Sequence, residues 1–381
     1  MRIAHIADTH LGYRAYNRVT SQGVNRREAD VFQAFRYALA KVAEIEPDLI
    51  VIAGDVFHVV RPSNLTIQQT FREFAALRRK TSAPIVLIGG NHDSPRSADT
   101  GCILDLLTNL PDIHVVHSEY LQVKLEDLDA SVFCLCHRAL PHLSSLRIEP
   151  DPASTRNILL VHGTLEGIAR YAYDLYEINR SQVISDGWDY IAFGHYHIFT
   201  KLADNAYYAG SLEYTSSNIW HETKQLKGFI EYDAGERELV KFHAVPTRKV
   251  IDLQPIDATD LTASELDTKI QLRVDSIEGG CDDKIIRLVV ESLPRAVQAD
   301  LDYSAIREIR ARALHFDLQI RRPSRSSLSE GREDQDDHAR TVEEEWSEFA
   351  ASHDIPSGVD REKFVSIGRQ YLTKEEAAAR P

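Results

Sequence analysis

The feature that most constrains this chain is an apolar run ending in a carboxylate, LIVIAGDVFH at Leu49–His58. Leu49 to Ala53 pass without polar alternation, the mark of a strand buried on both faces, as in a parallel sheet covered on each side. Gly54 lets the backbone turn, and Asp55 stands at the strand's C-terminal end. A lone aspartate there could cap a helix, but open α/β sheets also bind ligands beyond the carboxyl ends of their strands. Repetition favours a site, because four further strand-like runs end in residues able to bind metal.

Arg2–Ala7 leads into Asp8 and His10, whose two-residue spacing in an extended backbone sends both side chains to the same side. Pro84–Ile88 runs into Gly89-Gly90-Asn91-His92-Asp93, Asn157–Val161 into His162-Gly163, and Tyr190–Phe193 into Gly194-His195-Tyr196-His197. These candidate ligands offer oxygen and nitrogen without sulfur, which suits Mn, Fe or Zn rather than Cu(I) and argues against a closed structural zinc site. They are too many for one ion. Two ions roughly 3.5–4 Å apart, sharing a carboxylate, form the arrangement that clamps a phosphoryl group and ionises a water.

Between the runs, Ala29–Glu44 places Val31, Phe35, Ala38, Leu39 and Val42 at helical spacing, and further helices are expected near Thr66–Lys80 and Ala98–Leu107. Ile113–Cys136 alternates as a second, partly antiparallel sheet would, and Ala206–Ser211 and Gly228–Tyr232 read as closing strands. The fold class is α/β, two sheets flanked by helices. A chain of 381 residues suggests two or three domains. We place the first at 1–246, a small α/β domain at 247–320, a polar flexible linker at 321–340 and a helix hairpin at 341–381. The hairpin carries Trp346 and Phe349 on one helix and Phe364, Ile367 and Tyr371 on the other. A two-helix unit cannot bury such faces alone, so it either grips a partner or folds back on the small α/β domain.

The irregular segment 12–27 interleaves Tyr13, Arg14, Tyr16, Arg18, Arg26 and Arg27, with Arg61 beyond the Asp55 turn. Such residues beside a site suit a nucleic-acid backbone and its bases, although a solvated loop has the same composition. Overall charge excludes a surface basic throughout, because 44 basic face 58 acidic residues for a net of −14. Cys102, Cys134, Cys136 and Cys281 have no zinc spacing, which points to a reducing cytosol. The opening MRIAHIA is a strand rather than an export signal, and no stretch approaches the ~20 apolar residues of a membrane span.

The ordered set D-x-H, G-D, G-N-H-D, H-G and G-H-x-H resembles the calcineurin-like metallophosphoesterase superfamily. Within it, AHIADTHLGYR, GDVFH followed by RPS, GNHDSPRS and YYAGSLEY resemble the SbcD-type nuclease subunits of DNA double-strand break repair. The resemblance covers 1–246 and implies a metallophosphoesterase sandwich with a capping domain. It implies Asp8, His10, Asp55 and His197 around one manganese ion, and Asp55, Asn91, His162 and His195 around a second. It further implies His92 beside the scissile phosphate and Asp93 orienting a histidine ring. DNA as substrate, a coiled-coil ATPase of the SbcC type on the hairpin, a homodimer formed through the helices after Asp55 and Asn91, and a cytoplasmic, nucleoid-associated location are also implied. A small-molecule phosphodiesterase or phosphatase would need neither the basic aromatic loop nor the hairpin, and a catalytically silent scaffold would have lost ligands.

Overall fold

The structure is a computed structural model and describes residues 1–95, 97, 100–168, 176–322, 346, 350, 360–361 and 363–368. It divides into two units, Met1–Arg322 and Pro323–Pro381.

In the first unit two six-stranded sheets face each other. One runs Glu238–Ala244, Gly228–Asp233, Arg2–Ile6, Leu49–Ile52, Ile85–Ile88, Ile113–Val116, and its last four strands are parallel. The other runs Thr200–Ala203, Ala206–Tyr208, Tyr190–Gly194, Arg156–His162, Ala130–Leu135, Tyr120–Leu125. The absence of alternation in Leu49–Ala53 has a direct cause. Leu49, Val51 and Ala53 pack into the core between the sheets, whereas Ile50 and Ile52 pack against the helices outside, Arg26–Ile45 and Asn64–Arg78. Each such aliphatic side chain withdrawn from water contributes about 1.5–3 kcal/mol.

The two helices start where the chain provides caps. The side chain of Asn25 accepts from the N–H groups of Arg27 and Glu28, and Ser63 accepts from that of Thr66. Val31, Phe35, Ala38, Leu39 and Val42 are all buried, as their spacing requires.

Three expectations change. Ile113–Val116 belongs to the first sheet, parallel to Ile85–Ile88, and only Tyr120–Leu125 and Ala130–Leu135 form the antiparallel hairpin of the second. Alternation reports faces and not neighbours, so it could not separate the two cases. The helix expected at Ala98–Leu107 is a 3₁₀ segment, Ile103–Asn109, with residues 98 and 99 outside the described residues. Asp8 and His10 are not extended but left-handed, at φ 50° and 46°.

The Ile285–Glu291 strand centres a separate parallel sheet with Val250–Asp252, Ile256–Asp257 and His315–Ile320. This sheet and the helices Ala263–Asp275 and Tyr303–Arg312 have their own apolar core. Its contacts nonetheless place it in the same compact unit as the sandwich. Of the linker expected at 321–340, residues 323–340 lie outside the described residues, as do Phe349 and Tyr371. In the second unit Trp346 meets Phe364 with ring centroids 5.4 Å apart and donates its indole N–H to the carbonyl of Val365. Ile367 is exposed.

Candidate metal centre

The C-terminal strand ends of both sheets converge on one seam, and backbone contacts between the sheets draw it together. A Cβ on Gly194 would stand 1.8 Å from the carbonyl oxygen of Ala53, so only glycine allows the second sheet to approach the first there. One residue beyond the Val161 position, His162 donates from Nδ1 to that same Ala53 carbonyl at 2.8 Å. The carbonyl fixes the tautomer and leaves Nε2 as the available nitrogen. Gly90 permits a second close approach, because a Cβ there would meet Asp55 Oδ1 at 2.1 Å.

The loops that carry the ligands run side by side. The N–H groups of Asp8, His10 and Leu11 donate to the carbonyls of Gly54, Asp55 and Val56. Asp8, His10, Asp55 and His195 all have φ between 46° and 101°, a costly region for residues with a Cβ, and such strain concentrates at functional sites. Left-handed turns, not the expected extended geometry, bring Asp8 and His10 together.

Two clusters that include a carboxylate result. In each, one candidate donor atom from every member lies within 4.8 Å of the others: Asp8, His10 and His197 in the first, and Asp55, His162 and His195 in the second. All six of these residues are buried. A third group at the same spacing, His10, His58 and His92, consists of histidines alone and shares His10 with the first. His10 Nε2 and His197 Nε2 are 3.0 Å apart, and Asn91 Oδ1 lies 3.0 Å from both His162 Nε2 and His195 Nδ1. Neighbouring donors on an octahedron with ~2.1 Å bonds are ~3.0 Å apart, so these spacings fit a divalent cation. Asp55 Oδ2 lies between the clusters, 3.7 Å from His10 Nε2 and 3.5 Å from His162 Nε2.

The electrostatics agree with that fit. Burial raises the Asp8 carboxyl to about 7, against the pull of His162. Burial alone would raise Asp55 as well, but His162, through its charge and its contact with the carboxylate, outweighs it and holds the carboxyl well below its ordinary range. Burial disfavours a charged His162, yet Asp55 and Asp8 lift it to about 9. Burial drives His10 and His197 well below 6.5, which suits neutral imidazole ligands. The pair of Asp55 and His162 thus holds a positive charge, and a cation bound there would take the place of the His162 proton and leave Nε2 as a neutral donor.

His92 is half-buried, and its Nδ1 lies 2.7 Å from the carbonyl of His58. Its N–H donates to Asp55 Oδ1 at 2.9 Å. His58, which our sequence reading passed over although it closes GDVFH, stacks on His92 at 5.1 Å and places Nδ1 3.3 Å from Nδ1 of His10. Asp93 does something other than expected: its carboxylate accepts from the N–H groups of Val56, Phe57 and Gly90, none of them a histidine ring. It holds the backbone that follows Asp55, while carbonyls orient the rings of His162 and His92.

The basic residues divide. Tyr13 meets His58 edge-on at 4.9 Å, and Arg14 and Arg61 are exposed, with Arg14 on Glu28 and Arg61 within reach of Thr100. Arg18 donates to the carbonyls of Arg310 and Ala311 at the end of the Tyr303–Arg312 helix, bracing the smaller sheet's helix. Arg27 is buried against Asp30 and Glu213, and Arg26 pairs with Asp283.

Two donor clusters on the seam of a two-sheet α/β sandwich are the architecture of a metallophosphoesterase. Residues 1–199 match the calcineurin-like phosphoesterase family, and the chain belongs to it. Among its relatives are proteins named DNA double-strand break repair protein Mre11. That of Methanococcus maripaludis is 28% identical over 245 residues, 60% of this chain and 62% of the relative. That of Methanocaldococcus jannaschii is 28% identical over 247 residues, 63% and 64% of the two chains, and that of Archaeoglobus fulgidus 29% over 213 residues, 52% and 46%. The chain thus spans between about half and two thirds of the length of these relatives. No helix among the described residues is long and apolar enough to cross a membrane.

Proposed function

We propose that the chain is a manganese-dependent DNA nuclease, both exonuclease and endonuclease, serving double-strand break repair beside a coiled-coil ATPase of the SbcC type. The observation that carries this reading is the pair of donor clusters with the Asp55 carboxylate between them. DNA as the substrate class follows the names of the relatives. Asp8, His10, Asp55 and His197 would hold one ion, and Asp55, Asn91, His162 and His195 the other, with Asp55 bridging. When bound, the ions neutralise phosphoryl charge and ionise the attacking water.

The chain's own groups do the rest. His92, with Nδ1 engaged by the His58 carbonyl, presents Nε2 to the phosphate and stabilises the transition state or protonates the leaving oxygen. Tyr13 and the exposed Arg14 and Arg61 take the DNA backbone, with Arg18 at the margin. The unit containing Trp346, Phe349, Phe364, Ile367 and Tyr371 takes the ATPase. Exposed Leu65 and Leu106, on Asn64–Arg78 and Ile103–Asn109, support a homodimer through those segments. The buried, unpaired cysteines suit a cytoplasmic, nucleoid-associated protein.

The test is cleavage of labelled duplex, hairpin and circular single-stranded DNA with Mn²⁺, by the parent and by Asp55→Ala. Manganese-dependent cleavage by the parent is expected, with none by a variant whose circular dichroism is unchanged. Hydrolysis of a cyclic nucleotide with every DNA left intact would replace this reading with the small-molecule one.

A further inference from the structure

Burying a lysine up to its amine costs several kcal/mol unless every proton finds an acceptor, and Lys227 is 2% exposed. Its Nζ donates to the backbone carbonyl of His197 at 2.7 Å, to Ser211 Oγ at 2.9 Å and to the carboxylate of Glu222. Those acceptors account for all three N–H groups of an ammonium. The ring of Tyr214 closes over Nζ at 5.0 Å. The carbonyl of His197 also accepts from the N–H of Ser211 at 3.2 Å.

Ser211 and Tyr214 come from the YYAGSLEY stretch, and Glu222 and Lys227 follow it closely in the chain. This motif supplies none of the donors in the two clusters, yet it folds into a cradle under one of the residues that does.

Stability does not account for the arrangement. The desolvation of a buried ion pair largely offsets its attraction, and an apolar pair of similar volume does as well or better. What the ammonium adds is position, because a carbonyl held from two sides fixes the His197 peptide and with it the base of the ring whose Nε2 stands 3.0 Å from that of His10.

We propose that Lys227, with Glu222 and Ser211, is a positioning residue for the ion held by Asp8, His10 and His197, acting through the His197 backbone. The inference rests on the two-ion reading above. The test is calorimetric titration of the full chain with Mn²⁺ alone, in the absence of DNA. Lys227→Met and Glu222→Gln are introduced together, so that no buried charge is left unpaired. The expected result is a loss of about 10- to 100-fold in affinity at one site, the range for groups that orient a ligand, with the other site as in the parent.

A folded double variant that binds both ions like the parent overturns the positioning role. A parent that does not bind two ions overturns the two-ion reading instead, so the two failures are distinct. Should the double variant not fold, Ser211→Ala keeps the ion pair and removes one contact. A weaker loss confined to one site is then expected, and parent-like binding at both sites overturns the proposal.

Discussion

Gly90→Ala should disable the centre without replacing any proposed ligand. The new methyl carbon would stand 2.1 Å from Asp55 Oδ1, 2.5 Å from Asp55 N and 2.7 Å from Asp55 Cγ. Restoring an ordinary contact of 3.4 Å asks the carboxylate to retreat by about 1.3 Å. Metal–ligand bonds tolerate departures of about 0.2 Å, so a shift of this size takes Asp55 out of reach of at least one ion. Displacements of about 1 Å cost on the order of 10²-fold in rate even when they arise away from the reacting atoms. Overpacking costs about 1–3 kcal/mol of stability, which a domain of this size absorbs. The assay pairs Mn²⁺ calorimetry with cleavage of a labelled DNA duplex, and thermal unfolding confirms the fold. We expect turnover to fall by about 10² or more and one ion to be lost. Parent-like turnover with two ions bound would refute the reasoning, since it would mean that the Asp55 carboxylate is not held where the close approach of Gly90 puts it.

His92→Ala should retain both ions and DNA affinity and lose about 10²- to 10⁴-fold in kcat, as for a lost general acid; a matching loss of bound manganese would make His92 a ligand instead. Removal of residues 323–381 should leave manganese-dependent cleavage of single-stranded DNA intact and abolish coelution with the ATPase, and equal capture of both chains in a pull-down would refute the role given to the hairpin. His5 lies between the sheets, hydrogen-bonded to the Tyr190 hydroxyl through Nδ1, and burial lowers its pKa to about 3 from 6.5. The folded ring therefore stays neutral where the unfolded one takes up a proton: its contribution is complete above pH 6.5 and falls by up to about 1.4 kcal/mol per pH unit as pH drops towards 3. Denaturant unfolding between pH 4 and 7 should show a shallower acid slope for His5→Leu, and an unchanged slope would mean that the ring is protonated in the fold.

Strands buried on two faces are legible because both faces must be apolar, and LIVI, IVLI and NILLV could hardly be anything else. The polar residues at their ends were legible for the same reason, as interruptions in an otherwise apolar text. Local conformation was not. Nothing in Asp8-Thr9-His10 announces left-handed backbone at two non-glycine residues, because the cost is met by contacts with the parallel loop at 54–56, distant in sequence. Charge was equally silent about its partners. Arg27 reads like its neighbours in a basic loop, yet it is buried against Glu213 and the Tyr214 carbonyl, 186 and 187 positions away. Lys227 is buried as well, and its acceptors His197 and Ser211 lie 30 and 16 positions away.

The seam also shows why the glycines travel with the ligands in this family's motifs. Of the groups that aim the candidate donors, several are backbone atoms: the Ala53 carbonyl on His162, the His58 carbonyl on His92, and the His195 N–H on both oxygens of Asp8. A backbone atom can aim a ring only if two chain segments come within hydrogen-bonding distance, and a methyl group at Gly90 or Gly194 would hold those segments apart. Moving the ligands alone onto another sandwich would therefore reproduce the donor set without its geometry. A scaffold that kept the glycines and the Ala53 carbonyl but lost one histidine would keep the geometry and lose a donor. The second defect is open to rescue by an exogenous imidazole and the first is not, because no added ligand can bring two backbones together.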